Sequence, residues 1–222
     1  MGDWDGREVV VVGASGALGT GLVSAFADAG ASVLGVVRRA PEEPHEGKVR
    51  YREVDVTDDA ELGALFDAEP VPWAVVNTVG GFAGRTALPD LDPDVLIEQL
   101  RLNLVTAALI TRHALRRMLP AGAGRLIHTA SRAAVVTAGA GFAYSVSKLG
   151  VLHLVRMAAE EVRGTGVTVN CVVPSIIDTP ANRAAMPGAP YDSWPKVADI
   201  ARTYLFLASP QAAPVSGAQV PV

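Results

Sequence analysis

The sequence predicts an α/β domain: one doubly wound, parallel sheet of about seven strands with helices on both faces. Three observations carry this expectation. Short β-branched runs alternate with longer segments of helical pattern, the runs are apolar throughout, and glycine or proline punctuates the junctions. Strands buried on both faces read as unbroken apolar runs, and helical connections between them impose parallel, right-handed crossovers. At 222 residues, the chain suits a single domain, 1–222, with one continuous core.

The elements follow in order. Glu8–Val12 is a compact strand ending at Gly13, and Ala17–Ala29 is a helix closed by Gly30. Ser32–Val37 is the second strand. Arg39–Lys48 places Pro41, Pro44 and Gly47 among charges and reads as an exposed loop. Val49–Val54 is a strand, and Asp58 opens a helix to about Ala68, with carboxylates in its first turn. Trp73–Asn77 is a buried strand entering a glycine-rich turn, Gly80–Gly84. Asp92-Pro93 starts a long helix through about Met118, with Pro93 suited to the first helical position. Arg125–Thr129 is the next strand, and Phe142–Arg163 is another long helix. Val167–Val173 is the sixth strand, then comes a proline-rich segment, Pro174–Pro195. A last helix spans about Lys196–Ala208, and Ala218–Val220 is a short final strand.

Composition narrows the function classes. Half the residues (50%) are hydrophobic and 19% are charged, a globular balance. A net charge of -4 argues against nucleic acid, which calls for a clustered basic surface, and the 5% aromatic content argues against base stacking. No apolar stretch is longer than a strand, so no membrane span is expected, and the polar, acidic start does not resemble a signal peptide. The single cysteine, Cys171, excludes an intrachain disulfide and lies in an apolar run, where an inert buried thiol is expected. A cytoplasmic protein is the expectation; no metal-ligand cluster is apparent.

Ligands of such sheets bind beyond the carboxyl ends of the strands, so strand ends decide function. After the first strand comes Gly13-Ala-Ser-Gly16-Ala-Leu-Gly19, opening a helix. Gly13 suits a tight turn, Gly16 a close backbone approach to a pyrophosphate, and Gly19 close helix–sheet packing; Ser15 adds a hydroxyl donor. The alternative is a glycine-rich turn that binds nothing. The second strand ends in Val37-Arg38-Arg39 without the carboxylate expected of a site for NAD(H). Two guanidiniums suit a ribose phosphate, so NADP(H) is favoured with NAD(H) as the alternative; the bland reading is two solvated loop charges.

Tyr144-Ser-Val-Ser-Lys148 lies at the start of a helix, and its phenol and ammonium share one face. A nearby ammonium favours phenolate, so Lys148 is expected to lower the Tyr144 pKa. Ser131, at the preceding strand end, can hydrogen-bond a substrate carbonyl while Tyr144 donates the proton. Asn103, between leucines in a helix, is either a buried structural amide or the holder of water in a proton relay.

With these residues in view, the chain resembles the short-chain dehydrogenase/reductase family over nearly its whole length. The resemblance rests on Gly13–Gly19, Asp55-Val56, Asn77–Gly80, Asn103, Ser131, Tyr144–Lys148 and Pro174-Ser-Ile-Ile-Asp-Thr179. It implies a Rossmann-type fold and carbonyl–alcohol interconversion with a nicotinamide cofactor, catalysed by Asn103, Ser131, Tyr144 and Lys148. It also implies that Leu18 joins the phosphate loop, that Asp55 and Val56 contact adenine, and that Asn77 and Gly80 support the cofactor. Lys148 would hold the nicotinamide ribose beside Tyr144 and Pro174, while Ile177 and Thr179 address the carboxamide. Several positions depart from the family's pattern: Val12 replaces the common Thr, Thr78-Val79 stand in Asn77–Gly80, and Ser175 follows Pro174. A closer likeness is to the dihydropteridine reductase branch, through Gly13–Gly19, Val79–Gly84 and Asp178–Pro187, although that branch lacks a serine like Ser131.

The expected reaction is carbonyl reduction, with pterin reduction, a cofactor-sensing binding protein and a dehydratase or isomerase as rivals. Segment 181–195 is expected to cover a small-molecule substrate. Phe82, Phe142, Met186, Tyr191 and Trp194 would then make a largely apolar pocket with few charges. Helix Phe142–Arg163 offers Val146, Leu149, Leu152, Leu154 and Val155 as an apolar face, which with the family habit implies a homodimer or homotetramer.

Overall fold

The computed structural model describes residues 4–42, 45, 47–136 and 141–222. Seven parallel strands form one sheet in the order β3-β2-β1-β4-β5-β6-β7. They are β1 (Glu8–Val12), β2 (Ser32–Val37), β3 (Val49–Glu53), β4 (Ala74–Asn77), β5 (Gly124–Thr129), β6 (Val167–Val173) and β7 (Gln219–Pro221). The helices are α1 (Ala17–Asp28), α2 (Asp59–Ala68), α3 (Pro93–Gln99), α4 (Thr106–Ala121), α5 (Phe142–Glu161), α6 (Pro180–Ala185) and α7 (Val197–Ala208). The doubly wound sheet expected from the apolar runs is therefore present, and element ends differ from expectation by no more than three residues. The predicted loop Arg39–Lys48 includes positions 43, 44 and 46, which lie outside the described residues.

Each face of the sheet has its own core. On one face Val10, Leu34, Val75 and Leu126 pack with Leu62 and Phe66 of α2, Ile110 and Met118 of α4, and Val151 and Val155 of α5. On the other, Val9, Val11, Val33 and Val76 pack with Leu22 and Phe26 of α1 and Ile200 and Leu207 of α7. Alternate strand residues thus feed opposite layers, and both faces are buried.

Two features were not legible beforehand. The long helix from Pro93 is continuous but contains a π-helical turn, Leu100–Val105, between α3 and α4. It is closed by the Thr106 N–H and hydroxyl, both donating to the Arg101 carbonyl. The proline-rich segment also contains the short helix α6, capped by Thr179 Oγ1, which accepts from the Asn182 N–H at 3.2 Å. Expectation for α5 needs one correction. Leu152 and Val155 belong to the core and Leu154 packs against it, leaving Phe142, Val146, Leu149 and Met157 as its exposed apolar residues.

The strand order reverses at β1 and β4, which opens a crevice above their carboxyl ends. Gly13 turns there with φ +85°. A Cβ on it would stand 2.7 Å from Thr78 Oγ1, so both backbone conformation and close approach require glycine. Thr78 Oγ1 donates to the Val12 carbonyl at 2.8 Å and lies 3.1 Å from that of Gly13, tying β4's exit to the loop after β1.

Candidate active site

Two cavities meet at this crevice. One, of about 640 Å³, is lined by Gly16–Gly19, Thr78, Gly80–Phe82, Thr129–Ala133, Tyr144, Lys148 and Pro174–Ile177, with Arg85, Val136 and Asn182 completing it. The other, of about 740 Å³, is lined by Gly13, Ser15, Gly16, Arg38, Asp55, Val56, Arg101 and their neighbours. Gly16, Thr78 and Gly80 border both.

At the junction the backbone offers an anion cradle. Gly16 caps α1 with no side-chain hydrogen bond, and the first-turn residues Ala17, Leu18 and Gly19 line the cavity. Their N–H groups precede the first intrahelical acceptor, so donors and a partial positive charge point into the crevice. Gly19 is needed for packing, because a Cβ there would stand 2.1 Å from the Gly13 carbonyl oxygen. These features fit a dinucleotide's pyrophosphate, and the two cavities fit its two ends.

In the first cavity, β5 delivers Ser131 and α5 delivers Tyr144 and Lys148 to one wall. Ser131 Oγ accepts from the Ala133 N–H at 3.2 Å, which fixes the hydroxyl at the start of a short turn. Burial pushes the Tyr144 phenol above its ordinary pKa of 10.0, and a hydrogen bond with Ser131 pulls it back down. Lys148 is almost fully buried, and burial pushes it down to about 8 from 10.5. Its Nζ donates to the Thr129 carbonyl at 3.0 Å. The expectation that Lys148 lowers the Tyr144 pKa therefore needs correction for this state: Ser131 exerts the lowering, and burial outweighs it. Phe82 stands edge-on to Tyr144, ring centroids 5.2 Å apart, and shields one side of the phenol.

Asn103 does not line either cavity. The π turn aims its side chain behind the wall. Its Oδ1 accepts from the Gly81 N–H at 3.1 Å, while Nδ2 donates to the Gly81 carbonyl at 3.1 Å and to Ser147 Oγ at 3.0 Å. Asn103 thus locks the glycine turn to α5 one residue before Lys148. These are the contacts of a buried amide. Gly80 sits against this lock, since a Cβ there would come within 2.7 Å of both Asn103 Oδ1 and Lys148 Nζ.

Other expected residues also lie off the walls. Asn77 is buried; its Oδ1 accepts from the Val79 N–H at 2.9 Å and its Nδ2 donates to His128 Nδ1 at 3.1 Å. His128, whose Nε2 bonds Thr111 Oγ1 at 2.9 Å, is held neutral by burial, its pKa pushed to about 3. Asn77 accordingly braces the turn from below. Thr179 caps α6 and does not border the cavity. Phe142 is exposed at the start of α5, and Trp194 is buried against Tyr191 at 5.0 Å. Neither they nor Met186 and Tyr191 line the pocket. Arg39 is exposed and off the second cavity, whereas Arg38 is on it. Cys171 is buried, its thiol pushed up to about 12 by burial, as expected of an inert residue.

Several wall residues were missed, namely Thr78, Arg85, Arg101, Arg132 and Ser175, while Asn182 comes from the segment 181–195 expected to cover the substrate. The first cavity is largely apolar with few charges, as expected, and the charges it has are Arg85, Arg132 and Lys148. Asp55 in the second cavity is held below its ordinary pKa chiefly by hydrogen bonds from Thr57, with smaller contributions from the charges of Arg101 and Arg38. A threonine after a strand gives no advance sign that it faces a crevice.

Fold and crevice together are those of a doubly wound domain with room for a dinucleotide. Comparison with known proteins makes this specific. Residues 13–222 match the family profile described as enoyl-(acyl carrier protein) reductase. D-threitol dehydrogenase of Mycolicibacterium smegmatis is 30% identical, over 97% of this chain and 91% of that protein. Cis-4-hydroxycyclohexanecarboxylate dehydrogenase of Sinomonas cyclohexanicum is 29% identical, over 96% of this chain and 93% of that protein. A short-chain type dehydrogenase/reductase from Mycobacterium ulcerans superposes with a TM-score of 0.90 at 27% identity, over 99% of this chain and 89% of that one. The chain belongs to the short-chain dehydrogenase/reductase family, whose members bind NAD(P). Among the described residues no helix is long and apolar enough to cross a membrane, and no cluster of side chains could hold a metal ion.

Proposed function

We propose that this protein is an NADP(H)-dependent reductase and dehydrogenase that interconverts a small ketone or aldehyde and its alcohol, with Tyr144 as the general acid and base. The observation that carries this reading is the convergence of Ser131, Tyr144 and Lys148 on the wall of one cavity that also contains the α1 N-terminus. The cofactor supplies or accepts the hydride. Ser131 holds the substrate oxygen, and Tyr144 gives its phenolic proton to that oxygen as negative charge develops there. A phenol kept protonated by burial is suited to donation, and the Ser131 hydrogen bond moderates that effect. Lys148 addresses the nicotinamide ribose and, when charged, stabilises the phenolate left behind. Asn103 is a positioning residue, fixing Gly81 and α5 in one register. Gly13, Ser15, Gly16, Leu18 and Gly19 take the pyrophosphate, Asp55 and Val56 the adenine, and Pro174 and Ile177 the nicotinamide end.

Arg38 and Arg101 support NADP(H) over NAD(H). Both reach the second cavity near Asp55, and no carboxylate ends β2. A guanidinium pair there suits a 2′-phosphate. Ser131 on the wall supports a carbonyl substrate over a quinonoid pterin, which accepts hydride without polarisation of an oxygen. The names of the two relatives, one acting on a polyol and one on a hydroxycarboxylate, support a small secondary alcohol. Segment 181–195 covers the substrate through Asn182, which donates to the Ile177 carbonyl at 2.8 Å. The exposed apolar residues of α5 support a homodimer or homotetramer, and a buried single cysteine suits the cytoplasm. The test is loss of NADPH absorbance with a carbonyl panel. Turnover with NADPH above that with NADH supports the reading; no oxidation of either with any carbonyl would retire it.

A further inference from the structure

The reaction cavity carries an unbalanced positive charge. Its lining includes Arg85, Arg132 and Lys148 and contains no Asp or Glu. The adjoining cavity differs: there Arg38 and Arg101 are accompanied by Asp55 and Glu98. Some surface arginines find acidic partners, as Arg50 does with Glu8 and Glu69 and Arg183 with Asp178, and others do not. Among the described residues Arg85 and Arg132 form no ion pair.

Both come from anchored backbone. Arg132 follows Ser131 directly, and its N–H donates to the Pro174 carbonyl at 2.9 Å, so the turn it begins is tied to the end of β6. Arg85 follows Gly84, whose φ is +85°. The Gly84 carbonyl packs so close to Gly141 that a Cβ on Gly141 would stand 2.2 Å from it. The loop bearing Arg85 is thereby seated on the start of α5, with Phe82 of the same loop against Tyr144. Arg85 and Arg132 thus line the cavity of Ser131 and Tyr144 from two different segments of the chain, both with exposed side chains. A guanidinium presents a fork of donors matched to carboxylate and phosphate, and it is weakly hydrated enough to exchange water for an anion.

We propose that the substrate carries an anionic group, a carboxylate or phosphate, bound by Arg85 and Arg132 while its carbonyl or alcohol carbon lies at Ser131 and Tyr144. The inference rests on reading this cavity as the reaction site. It makes the enzyme one that acts on oxo and hydroxy acids or on phosphorylated carbonyl compounds, in preference to their neutral counterparts.

Matched pairs of probes test it: levulinate against methyl levulinate, and dihydroxyacetone phosphate against dihydroxyacetone. With NADPH the charged member of at least one pair shows a kcat/KM about tenfold higher or more, and the pair that responds identifies carboxylate or phosphate. That preference shrinks as salt rises. In the Arg85→Ala, Arg132→Ala double variant the ratio collapses towards one, and lysine at both positions restores part of it. Equal turnover within both pairs overturns the proposal while leaving carbonyl reduction intact. An unchanged ratio in the double variant together with weaker NADPH binding by fluorescence also overturns it, because the arginines would then serve the cofactor. Calorimetric titration of each pair into the Tyr144→Phe protein with NADP⁺ gives a readout without turnover. Tighter binding of the charged member there supports the anion site even if no carbonyl is reduced, and equal binding of both members rejects it.

Discussion

The two cavities share a border of three residues yet are built on different principles. The reaction cavity takes its working groups from buried, interlocked elements: Lys148 is wedged under the sheet end, bonded to the Thr129 carbonyl, and Ser131 and Tyr144 stand against each other. Burial there changes proton affinity, pushing Lys148 down and Tyr144 up. The second cavity takes Arg38 and Asp55 from exposed strand ends, and its charges remain solvated. Chemistry is set where water is excluded, and recognition of the far end of a cofactor is set where it is not.

The largest effect separates the two regions outright. Tyr144→Phe lowers kcat by about a thousandfold, the usual scale for removing a general acid, while NADPH affinity measured by fluorescence stays close to wild type. A parallel loss of affinity would show that the phenol serves binding.

Lys148 probes burial itself. In the unfolded chain its pKa is near 10.5 and in the fold near 8. Between these values the unfolded chain holds a proton the folded one has released, so this residue's contribution to stability rises with pH across that window. The full span is worth roughly 3 kcal/mol. Lys148→Met is accordingly more stable than wild type at pH 7, and the difference narrows as pH climbs above 8. Cys171, pushed up to about 12 from 9.0, acts in the opposite sense above pH 9 and is itself coupled to Lys148, so the lysine is read from the difference between the two proteins at pH 7 to 9. Denaturant melts of the cofactor-free protein across pH 7 to 10 measure it; a constant difference would contradict a buried ammonium.

Arg38→Ala addresses the other region. It weakens NADPH binding by about ten- to a hundredfold, the value of one charge-assisted hydrogen bond to phosphate, and leaves NADH binding and kcat near wild type. Equal weakening of both nucleotides would remove Arg38 from the 2′-phosphate. The smallest effect falls on the shared border. Gly80→Ala presses a methyl within 2.7 Å of Asn103 Oδ1 and Lys148 Nζ. It costs about 1–3 kcal/mol of stability and moves kcat and cofactor affinity together, which thermal melts and steady-state kinetics report.

Ser131, Tyr144 and Lys148 were legible in the sequence because local rules suffice for them. A serine at a strand end and a Tyr/Lys pair one helical turn apart must face the crevice of a parallel sheet. Arg85, Arg101, Arg132 and Thr78 were not legible, because where a loop or a π turn aims a side chain depends on what packs behind it. The positions of Phe142 and Trp194 off the cavity wall were not legible for the same reason: nearness in sequence to a substrate segment does not say whether a ring is exposed or buried.

What the amino-acid sequence determined by itself was the periodic part: apolar runs buried on both faces, the glycine spacing of the α1 loop, and the i, i+4 pair on α5. What only the tertiary structure decided was the electrostatic part. Asn103 became a lock through the extra residue of a π turn, Lys148 acquired a lowered pKa through burial, and the reaction cavity gathered arginines without carboxylates. Periodicity follows from backbone geometry, which every residue shares. Charge balance follows from which distant segments meet, and only the folded chain brings them together.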